Sequence, residues 1–234
     1  MKTDVRKAVE MGIDKDGFCS VIMEGRGVPA KAAFPSGFSY GNDAVETVSY
    51  DPEGAKKLLE ESGWTDTDGD GYVDKDGQKL SINWLTYPTR LEQPKLAEYA
   101  QATLKDIGID VVVNNTSDHM TIAKNGDFDV YVSSTTTAPT GDPEYFFTST
   151  VTGAKNYGNY QNEEVTKLTD QLHQTFDKDE RAKLAVELQQ DILDDDAFFF
   201  VSHLNMGIVT KSNVTGMAAH PCDYYEITAD LDVE

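Results

Sequence analysis

The sequence predicts an α/β fold in which a mainly parallel β-sheet is flanked by helices. Residues 79–85 alternate apolar and polar side chains as a strand does, and residues 92–107 repeat apolar side chains at helical spacing. Residues 109–113 form a short apolar run that is typical of a buried strand. A strand, a long helix and a second strand in such close succession indicate a βαβ unit, whose two strands are parallel.

Three helices and an irregular arm are predicted before this unit. Apolar residues within 5–12 mark one face of the first helix, and residues 14–23 indicate a short second one. Residues 24–50 are rich in Gly, Pro and Ser and show no periodicity, so we expect an irregular arm. Pro52 at a first helical position and Gly63 just past the last apolar position bound the third helix.

A further strand is predicted at residues 128–133, after a short helix near residues 117–124. Hydroxyl side chains dominate the next residues, 134–140, which cannot build a core. Asp142 and Pro143 then suit the N-cap and first position of a new helix. A strand that ends in a polar loop before a helix is how open α/β sheets present ligand-binding loops, although an ordinary surface loop has the same composition.

The second half of the chain is predicted to contain two helices and one or two buried strands. Asp177 or Asp179 can cap the second helix. Residues 197–209 are strongly apolar and aromatic, which indicates the buried strands. Repeats and linkers are absent from the sequence, so we expect one α/β unit. The apolar stripes of the two helices are Val165, Leu168, Leu172 and Phe176, then Leu184, Leu188 and Ile192.

Charge and composition exclude several classes of partner. The formal net charge is −21, and a surface that acidic repels nucleic-acid phosphates and anionic lipid. Neither an 18-residue apolar run nor a signal-like segment is present. The chain enters an amphipathic helix almost at once, which predicts a segment of a longer protein. Cys19 and Cys222 lie outside any CxxC or zinc-binding spacing, and the sequence leaves their pairing open.

An acidic loop resembles the calcium-binding loop of an EF-hand. Asp66, Asp68 and Asp70 occupy positions 1, 3 and 5 of that pattern, and the carbonyl of Tyr72 occupies position 7. Alternating carboxylates around a turn can place several oxygen atoms on one cation. Position 12 is Gly77 instead of a bidentate Glu, and a strand follows instead of a helix. A calcium site and a charged hairpin turn therefore both remain open, and a calcium-binding extracellular module is one alternative function.

A serine hydrolase is the other alternative, because residues 37–41 spell GxSxG with Ser39 at the centre. That motif needs a preceding strand and a following helix to expose the nucleophile. Pro and Ser precede it here and a poor helix start follows, so we interpret the match as a chance occurrence. His203 interrupts an apolar run, and such a histidine is more often a core residue than a ligand.

An ordered set of segments resembles the extracytoplasmic solute-binding proteins of ABC importers, in particular the peptide/nickel/opine-type family. The set includes VRKAV, YDPEGAKKLLEESGW, DTDGDGYVDKDGQKL, LKDIGIDV, GDFDVYV, GDPEYFF and DDDAFFFVSHL. The resemblance covers nearly all 234 residues. It implies a lobe of the periplasmic-binding-protein-like (type II) class, with residues 1–234 as the C-terminal lobe of a two-lobe protein and the N-terminal lobe absent from this chain.

The resemblance also implies a function and a location. Proteins of this family capture a small solute in the cleft between two lobes and deliver it to membrane permease subunits, without chemistry on the solute. We therefore expect no enzyme activity and no required cofactor, with calcium as an optional ion. We also expect an extracytoplasmic location, either in the periplasm or as a cell-surface lipoprotein.

The class of ligand depends on the loop before GDP. Peptide-binding relatives place an Asp where this chain has Pro139, whereas binders of nickel or metal chelates are similar to this chain in having Ala-Pro there. A Trp near Thr136 and a metal-contacting His near Asn156, both features of the nickel binders, are absent. Nickel, a metal chelate and a peptide therefore all remain open as transported ligands.

The predicted ligand-binding residues follow from the same resemblance. Arg90 lies in the segment TYPTRLEQP after a strand and suits a carboxylate, and His203 suits an open metal position. The hydroxyls of the polar loop suit carboxylate oxygens. The full predicted set is Tyr87, Arg90, Thr135, Thr136, Thr137, Pro139 and His203.

Overall fold

The computed structural model describes residues 1–218 and 228–233. Short π-helical turns (Phe18–Ile22 and Phe147–Val151) and a 3₁₀ turn (Asn42–Ala44) complete the helical segments. The α-helices of the described residues are α1 (Thr3–Met11), α2 (Lys15–Gly17), α3 (Pro52–Glu61), α4 (Glu92–Lys105), α5 (His119–Asn125), α6 (Glu144–Phe146), α7 (Glu163–Gln174) and α8 (Lys178–Asp194). The strands are β1 (Gly27–Pro29), β2 (Asp74–Lys75), β3 (Gln78–Lys79), β4 (Ser81–Thr86), β5 (Asp110–Asn115), β6 (Val130–Tyr131), β7 (Ser202–Leu204), β8 (Val214–Thr215) and β9 (Asp232–Val233).

The central sheet has the order β5–β4–β6, and both neighbours run parallel to β4. This confirms the α/β fold and the parallel arrangement of the three predicted strands. β6 is shorter than the predicted segment 128–133, because the Asp129 side chain already accepts a hydrogen bond from the backbone N–H of Asn83. Pairing ends beyond Val132, whose backbone N–H donates to the carbonyl of Leu85. The polar residues that follow are thereby released from the sheet.

One hydrophobic core lies between the sheet and helices α1, α3 and α4, and we call it the sheet-side core. Trp84 and Ile82 point from β4 into it, where they meet the apolar face of α4. Gly108 permits the turn from α4 into β5 because its φ of +81° belongs to the left-handed region. The largest fully buried members are Trp84, Phe18, Ile13, Leu59, Ile82, Leu104, Ile107 and Ile109.

A second core, the helical core, lies between α6, α7 and α8 and includes residues of the arm. Phe34 of the arm contacts Phe146 and Phe147 with ring centroids 5.9 and 6.0 Å apart. Gln189 of α8 accepts a hydrogen bond from the backbone N–H of Ala33 and donates to the carbonyl of Tyr40. The arm contains only strand β1 and one 3₁₀ turn, so it is less irregular than predicted, and aromatic packing and side-chain hydrogen bonds order the rest of it.

Residues 198–201 join the two cores. Phe198 and Phe200 pack on the helical core, whereas Phe199 and Val201 pack on the sheet-side core. This alternation is the period of an extended chain, so both faces of the segment are apolar. It explains why residues 197–209 suggested buried strands, although the only strand within them is β7, which pairs antiparallel with β1.

Two predictions about apolar residues were wrong. Phe176 was placed on the buried stripe of α7, but α7 ends at Gln174 and the Phe176 side chain is 90% exposed. The helix ends there because the guanidinium of Arg181 caps its final turn. It donates hydrogen bonds to the carbonyls of Leu172 and Thr175. Val209 was placed in a buried strand and is 97% exposed.

The two cysteines belong to different parts of the chain. Cys19 is buried beside the sheet-side core, and burial, with a contribution from Asp16, raises the pKa of its thiol to about 11. Such a thiol is protonated and unreactive at neutral pH. Cys222 and His220 lie outside the described residues. Whether Cys19 and Cys222 pair therefore stays open.

Candidate functional site

Three neighbouring strands of the sheet end at the same edge, and a ring-bearing side chain lies at or shortly after the end of each. Tyr87 comes directly after β4, and Tyr131 is the last residue of β6. His119 begins α5, shortly after the end of β5. In open α/β sheets, ligands bind outside the carboxyl ends of the strands, so this edge is the candidate ligand-binding surface.

These rings are in contact with one another, and we call Tyr87, His119, Tyr131 and Tyr157 the aromatic edge. The rings of Tyr87 and His119 are stacked, with centroids 4.1 Å apart and planes inclined by 19°. His119 Nδ1 lies 2.9 Å from the Tyr131 hydroxyl, and Tyr157 packs edge-on against Tyr131 at 5.9 Å. Residues far apart in sequence thus form one surface, and their order depends on parallel pairing of the strands.

The Tyr131 hydroxyl is neutral at physiological pH. Burial, with smaller contributions from Tyr87 and Tyr157, raises its pKa to about 12. The hydroxyl also donates to Met120 Sδ at 3.9 Å. Tyr131 therefore acts as a hydrogen-bonding group that orients the neighbouring imidazole.

The polar loop after β6 is attached to the start of α4 through Ser134. The Ser134 hydroxyl donates to Glu92 Oε1 at 3.0 Å and accepts from Gln93 Nε2 at 2.5 Å. Its backbone N–H donates to the Tyr87 hydroxyl at 3.4 Å, a long bond. Two buried oxygen atoms beside these groups, Thr86 Oγ1 and Gln93 Oε1, have no hydrogen-bond partner in the described protein. Buried polar atoms without partners are uncommon and are frequent at functional sites.

The predicted loop residues follow directly from Ser134. Thr135 and Thr136 are exposed, while Thr137 and Pro139 are half-buried. Arg90 is exposed in the turn before α4, two residues ahead of Glu92. Tyr87 is 8% exposed and contacts the loop as well as the aromatic edge. Contact between these residues and a solute stays a prediction.

His203 lies elsewhere, in β7 opposite Val28 of β1. Its Nε2 atom is 3.3 Å from Asn42 Oδ1, which already accepts from the backbone N–H groups of Lys31 and Ala32. Burial lowers the pKa of His203, so the ring is neutral. An Nε2 that faces an amide oxygen carries the proton, which leaves no lone pair there for a metal. Metal binding by His203 stays a prediction, and the contact between Nε2 and Asn42 Oδ1 argues against it.

The far end of the polar loop is held by Arg181 of α8. Its guanidinium donates to both carboxylate oxygens of Asp142, at 2.7 and 2.9 Å, and to Glu144 Oε2 at 2.8 Å. Glu144 also contacts His173 Nδ1 at 2.6 Å. Hydrogen bonds from Arg181 and His173 lower the pKa of Glu144. Burial acts to raise the pKa of Asp142, but hydrogen bonds from Arg181 and from the backbone N–H of Glu144 outweigh it and lower that pKa overall. A cavity of ≈ 590 Å³ adjoins this network.

The start of α6 lies one residue later than predicted, since the helix begins at Glu144 and Pro143 occupies the N-cap position. The Asp142 side chain still contacts the start of the helix, because its Oδ1 accepts from the backbone N–H of Glu144 at 2.9 Å. The polar loop is therefore attached at both ends, by the hydrogen bonds of Ser134 to the start of α4 and by the ion pair of Asp142 with Arg181. Arg181 was missed by the sequence reasoning, since nothing in its helical context marks it as different from the neighbouring Lys178 and Lys183.

The acidic loop brings together a different set of carboxylates from the predicted one. Carboxylate oxygens of Asp66, Asp68 and Asp74 all lie within 4.8 Å of one another. Asp70 forms an ion pair with Lys79 at 2.5 Å instead, and Lys79 lies over the ring of Tyr72. Asp74 occupies position 9 of the EF-hand pattern, so the sequence contained the signal that would have added it. Three grouped carboxylates are suitable oxygen ligands for calcium.

Ser39 has no nucleophile-elbow geometry. The preceding strand, β1, ends at Pro29, and a 3₁₀ turn of three residues (Asn42–Ala44) follows the motif. Residues 37–41 form turns within the arm, where the Ser39 side chain is exposed. The GxSxG match therefore has neither of the flanking elements that the hydrolase motif requires.

Among the described residues, no helix combines the length and the apolar character needed to cross a bilayer.

Comparison with known proteins identifies the class to which this fold and site belong. Residues 2–158 match the family model of bacterial extracellular solute-binding proteins, family 5 (middle). The chain therefore belongs to family 5 of the solute-binding proteins of ABC importers, as the resemblance implied. The members of this family are transport binding proteins and not enzymes.

Individual relatives have different ligands. The oligopeptide-binding protein AppA of Bacillus subtilis is 29% identical over 95% of this chain and 42% of its own length. Its structure with a nonapeptide superimposes with a TM-score of 0.79 at 26% identity, over 96% of this chain and 46% of that one. The structure of NikA from Staphylococcus aureus with Ni(L-His)₂ gives a TM-score of 0.81 at 26% identity, over 100% of this chain and 49% of that one.

The relatives are longer than this chain. This chain spans less than half the length of these relatives. The periplasmic-binding-protein-like α/β fold is thus established for the region that is present.

Proposed function

We propose that this chain is the C-terminal lobe of the substrate-binding component of an ABC transporter. The complete protein captures a small solute in the cleft between its two lobes, on the extracytoplasmic side, and delivers it to permease subunits. Family membership supports the class of function. The aromatic edge, followed by the partly exposed loop from Ser134 to Asp142, is the observation that supports a solute site at this end of the sheet.

The cleft requires the N-terminal lobe as a partner. Solute-binding proteins with two lobes close around their ligand by a hinge motion, so each lobe supplies only part of the contacts. We therefore expect this chain alone to bind solute far more weakly than the two-lobe protein. Micromolar or tighter binding by the single lobe, about −8 kcal/mol or stronger in calorimetry, contradicts this expectation.

The loop favours a metal chelate, or a ligand without a free amino terminus, over a simple dipeptide. Pro139 has no charge, and a buried ammonium group without a counter-charge is unstable by several kcal/mol. Arg90 and the hydroxyls of Thr135, Thr136 and Thr137 suit the carboxylates of a chelating ligand. The net charge of −21 acts in the opposite direction by attracting free cations, but salt screens that field within about 8–10 Å.

A competition series on the two-lobe protein tests this proposal. The probes are dipeptides, free Ni²⁺, and Ni²⁺ presented with L-histidine, measured by calorimetry. We expect the nickel–histidine complex to bind more tightly than either of the others. Tight binding of plain dipeptides, unaffected by metal, contradicts the interpretation of Pro139 while leaving the transport function intact.

Calcium binding at the acidic loop is a second proposal, supported by the grouping of Asp66, Asp68 and Asp74. The ion would stabilise a loop that already contains its own hydrogen bonds, such as those from the N–H groups of Gly69 and Gly71 to Asp66. We expect the melting temperature to rise with calcium, by a free energy of RT ln(1 + [L]/Kd), or about 1.4 kcal/mol at ten times Kd.

The matched variants for calcium are Asp68→Asn and Asp76→Asn. The first alters the grouped carboxylates and should abolish the calcium-dependent rise in melting temperature. The second changes an exposed carboxylate of the same loop outside the group and should retain the rise. An unchanged melting temperature of the wild-type chain at millimolar calcium would rule out the site.

A further inference from the structure

The end of β4 and the start of α4 carry three buried polar atoms that have no hydrogen-bond partner among the described residues: Trp84 Nε1, Thr86 Oγ1 and Gln93 Oε1. Trp84 and Thr86 are fully buried and lie two positions apart on β4, so their side chains share one face of the strand. Gln93 lies in the first turn of α4 and is 3% exposed. Buried polar groups nearly always have a partner, so this group of atoms indicates that a further molecule binds there.

The orientation of the Gln93 amide follows from its neighbours. The Ser134 hydroxyl has one hydrogen, and it donates that hydrogen to Glu92 Oε1 at 3.0 Å. Ser134 therefore accepts from its other partner, Gln93 Nε2, at 2.5 Å. The amide oxygen of Gln93 lies on the other side of the same carbon atom. It is consequently turned away from Ser134 and needs a donor of its own.

The three atoms need different hydrogen bonds, and this difference defines the chemistry of their partner. The indole N–H of Trp84 can only donate, the amide oxygen of Gln93 can only accept, and the Thr86 hydroxyl can do either. A cation cannot accept the indole hydrogen, and an anion cannot donate to the amide oxygen. Water both donates and accepts, and buried waters typically form about three hydrogen bonds to polar groups of this kind.

We propose that a water molecule is bound between β4 and the first turn of α4, where it donates to Gln93 Oε1 and bonds to Thr86 Oγ1. The indole N–H of Trp84, on the same face of β4, is the donor for its third hydrogen bond. The water site is inferred from the contacts of these buried groups and does not depend on what the protein transports.

The bound water makes Gln93 a positioning residue for the polar loop. The water holds the amide oxygen of Gln93, and the amide nitrogen holds Ser134, the residue from which the exposed Thr135 and Thr136 follow. A side chain that is bonded at both ends of its amide loses rotational freedom, so the beginning of the loop is held in one position. The consequence for solute binding rests on the proposed function of that loop.

The first test is a crystal structure of this chain at a resolution that shows ordered water. We expect a water molecule at about 2.5–3.0 Å from both Gln93 Oε1 and Thr86 Oγ1. The wild-type chain alone decides this point, so the result does not depend on whether a variant folds. A structure in which the two oxygen atoms bond to other protein atoms, or in which no water lies between them, overturns the inference.

Two substitutions of Thr86 test the positioning role. Thr86→Val keeps the shape of the side chain and removes the hydroxyl, whereas Thr86→Ser keeps the hydroxyl. Nuclear magnetic resonance order parameters of the backbone N–H groups of residues 135–137 are the readout, because they report the motion of the loop and not the overall stability. We expect them to fall in Thr86→Val and to keep their wild-type values in Thr86→Ser.

Thr169→Val is the matched control. The Thr169 side chain is also buried, but its hydroxyl donates to the carbonyl of Val165 in the helical core. The same substitution there should leave the order parameters of residues 135–137 unchanged. Equal order parameters in Thr86→Val and wild type, or an equal fall in Thr169→Val, overturn the positioning role of Gln93.

Solute affinity of the two-lobe protein gives a second readout. The probe is the tighter binding of nickel–histidine and a dipeptide, and Thr86→Val should bind it about threefold or more weakly than wild type while Thr86→Ser binds it equally. Unchanged affinity in Thr86→Val overturns the effect on solute binding. If the two-lobe protein binds neither probe, the proposed function is contradicted instead, and the crystallographic and loop measurements on this chain still decide the water site.

Discussion

The helical half and the sheet-side half of this lobe use their polar side chains differently. Around the helical core, Arg181 has an acceptor for each of its five N–H groups, and fully buried Gln189 bonds to three backbone groups. At the end of the sheet, Thr86 Oγ1 and Gln93 Oε1 lack hydrogen-bond partners among the described residues. Polar groups in the helical half therefore have their hydrogen bonds completed within the fold, whereas two buried oxygen atoms at the sheet edge do not.

The largest effect on stability is expected for Arg181→Leu. The substitution leaves Asp142 and Glu144 without their counter-charge and removes the donor for the last carbonyls of α7. We expect the free energy of unfolding to fall by about 2–3 kcal/mol, less than for a fully buried pair because Asp142 is partly exposed.

Lys183→Leu is the matched control, because Lys183 lies on the same helix and pairs with Glu180 in full solvent exposure. Urea unfolding at pH 7 should show a nearly unchanged midpoint for this variant. The two carboxylates that Arg181 contacts have lowered pKa values, so their stabilisation is present above about pH 4 and is lost as pH falls further. Equal midpoints for the two variants would refute the structural role of Arg181.

The second effect tests whether buried hydrogen bonds order the arm. Gln189→Leu removes the partners of the Ala33 N–H and the Tyr40 carbonyl, and we expect a loss of about 2 kcal/mol. Gln190 forms the same kind of bonds with the backbone of Glu46, but at an exposed site where water can replace them. Gln190→Leu should therefore reduce stability much less, and a reversed order of the two midpoints would contradict the comparison.

These residues also show where sequence reasoning reached its limit. The three parallel strands, α4 and the Asp-capped helices are predictable because their signals are local, such as Asp51 before Pro52 or Asp177 before α8. The order of the arm depends on Gln189, which lies 156 positions from the Ala33 N–H that it accepts, so no local pattern contains it. Phe176 fitted the helical period, but the cap by Arg181 ends the helix before it.

The candidate site divides in the same way. The loop after β6 could be predicted, because a strand that ends in a run of hydroxyls is visible in the sequence. The aromatic edge could not, because Tyr87, His119 and Tyr131 meet only through the pairing of three strands. The usable signals were that Tyr87 follows the end of one predicted strand and that Tyr131 lies within another.

The junction between the two halves gives the third prediction. Arg6 of α1 donates to the carbonyls of Asp195 and Asp196 at the end of α8, and Asp196 has a left-handed φ of +46°. Burial raises the pKa of the Asp196 carboxyl to about 6, with Lys7 partly opposing the shift. The folded state therefore binds this proton more tightly than the unfolded state, and stability decreases as pH rises from about 4 to about 6.

Asp196→Asn removes this pH-dependent penalty, and Asn tolerates a left-handed backbone. We expect the variant to gain about 1 kcal/mol in free energy of unfolding above pH 6, with no gain below about pH 4. Asp194→Asn, at an exposed position nearby, is the control and should show a much smaller pH-dependent difference, because the Asp194 charge contributes least among the causes of the raised pKa of Asp196. Thermal melting between pH 4 and pH 8 measures both, and a gain that is constant across this range would mean that the buried charge is not its cause.

The smallest effect on stability is expected at the proposed ligand-binding surface. Arg90, Thr135 and Thr136 are exposed, and the backbone hydrogen bond from Gln93 to the Arg90 carbonyl does not depend on the arginine side chain. Replacing all three side chains by Ala should therefore change the free energy of unfolding by no more than about 0.5 kcal/mol. In the two-lobe protein the same variant should bind nickel–histidine more weakly than wild type. A stability loss as large as that of Arg181→Leu would mean that these polar groups stabilise the fold, as those of the helical half do. An unchanged affinity would mean that they do not bind the solute.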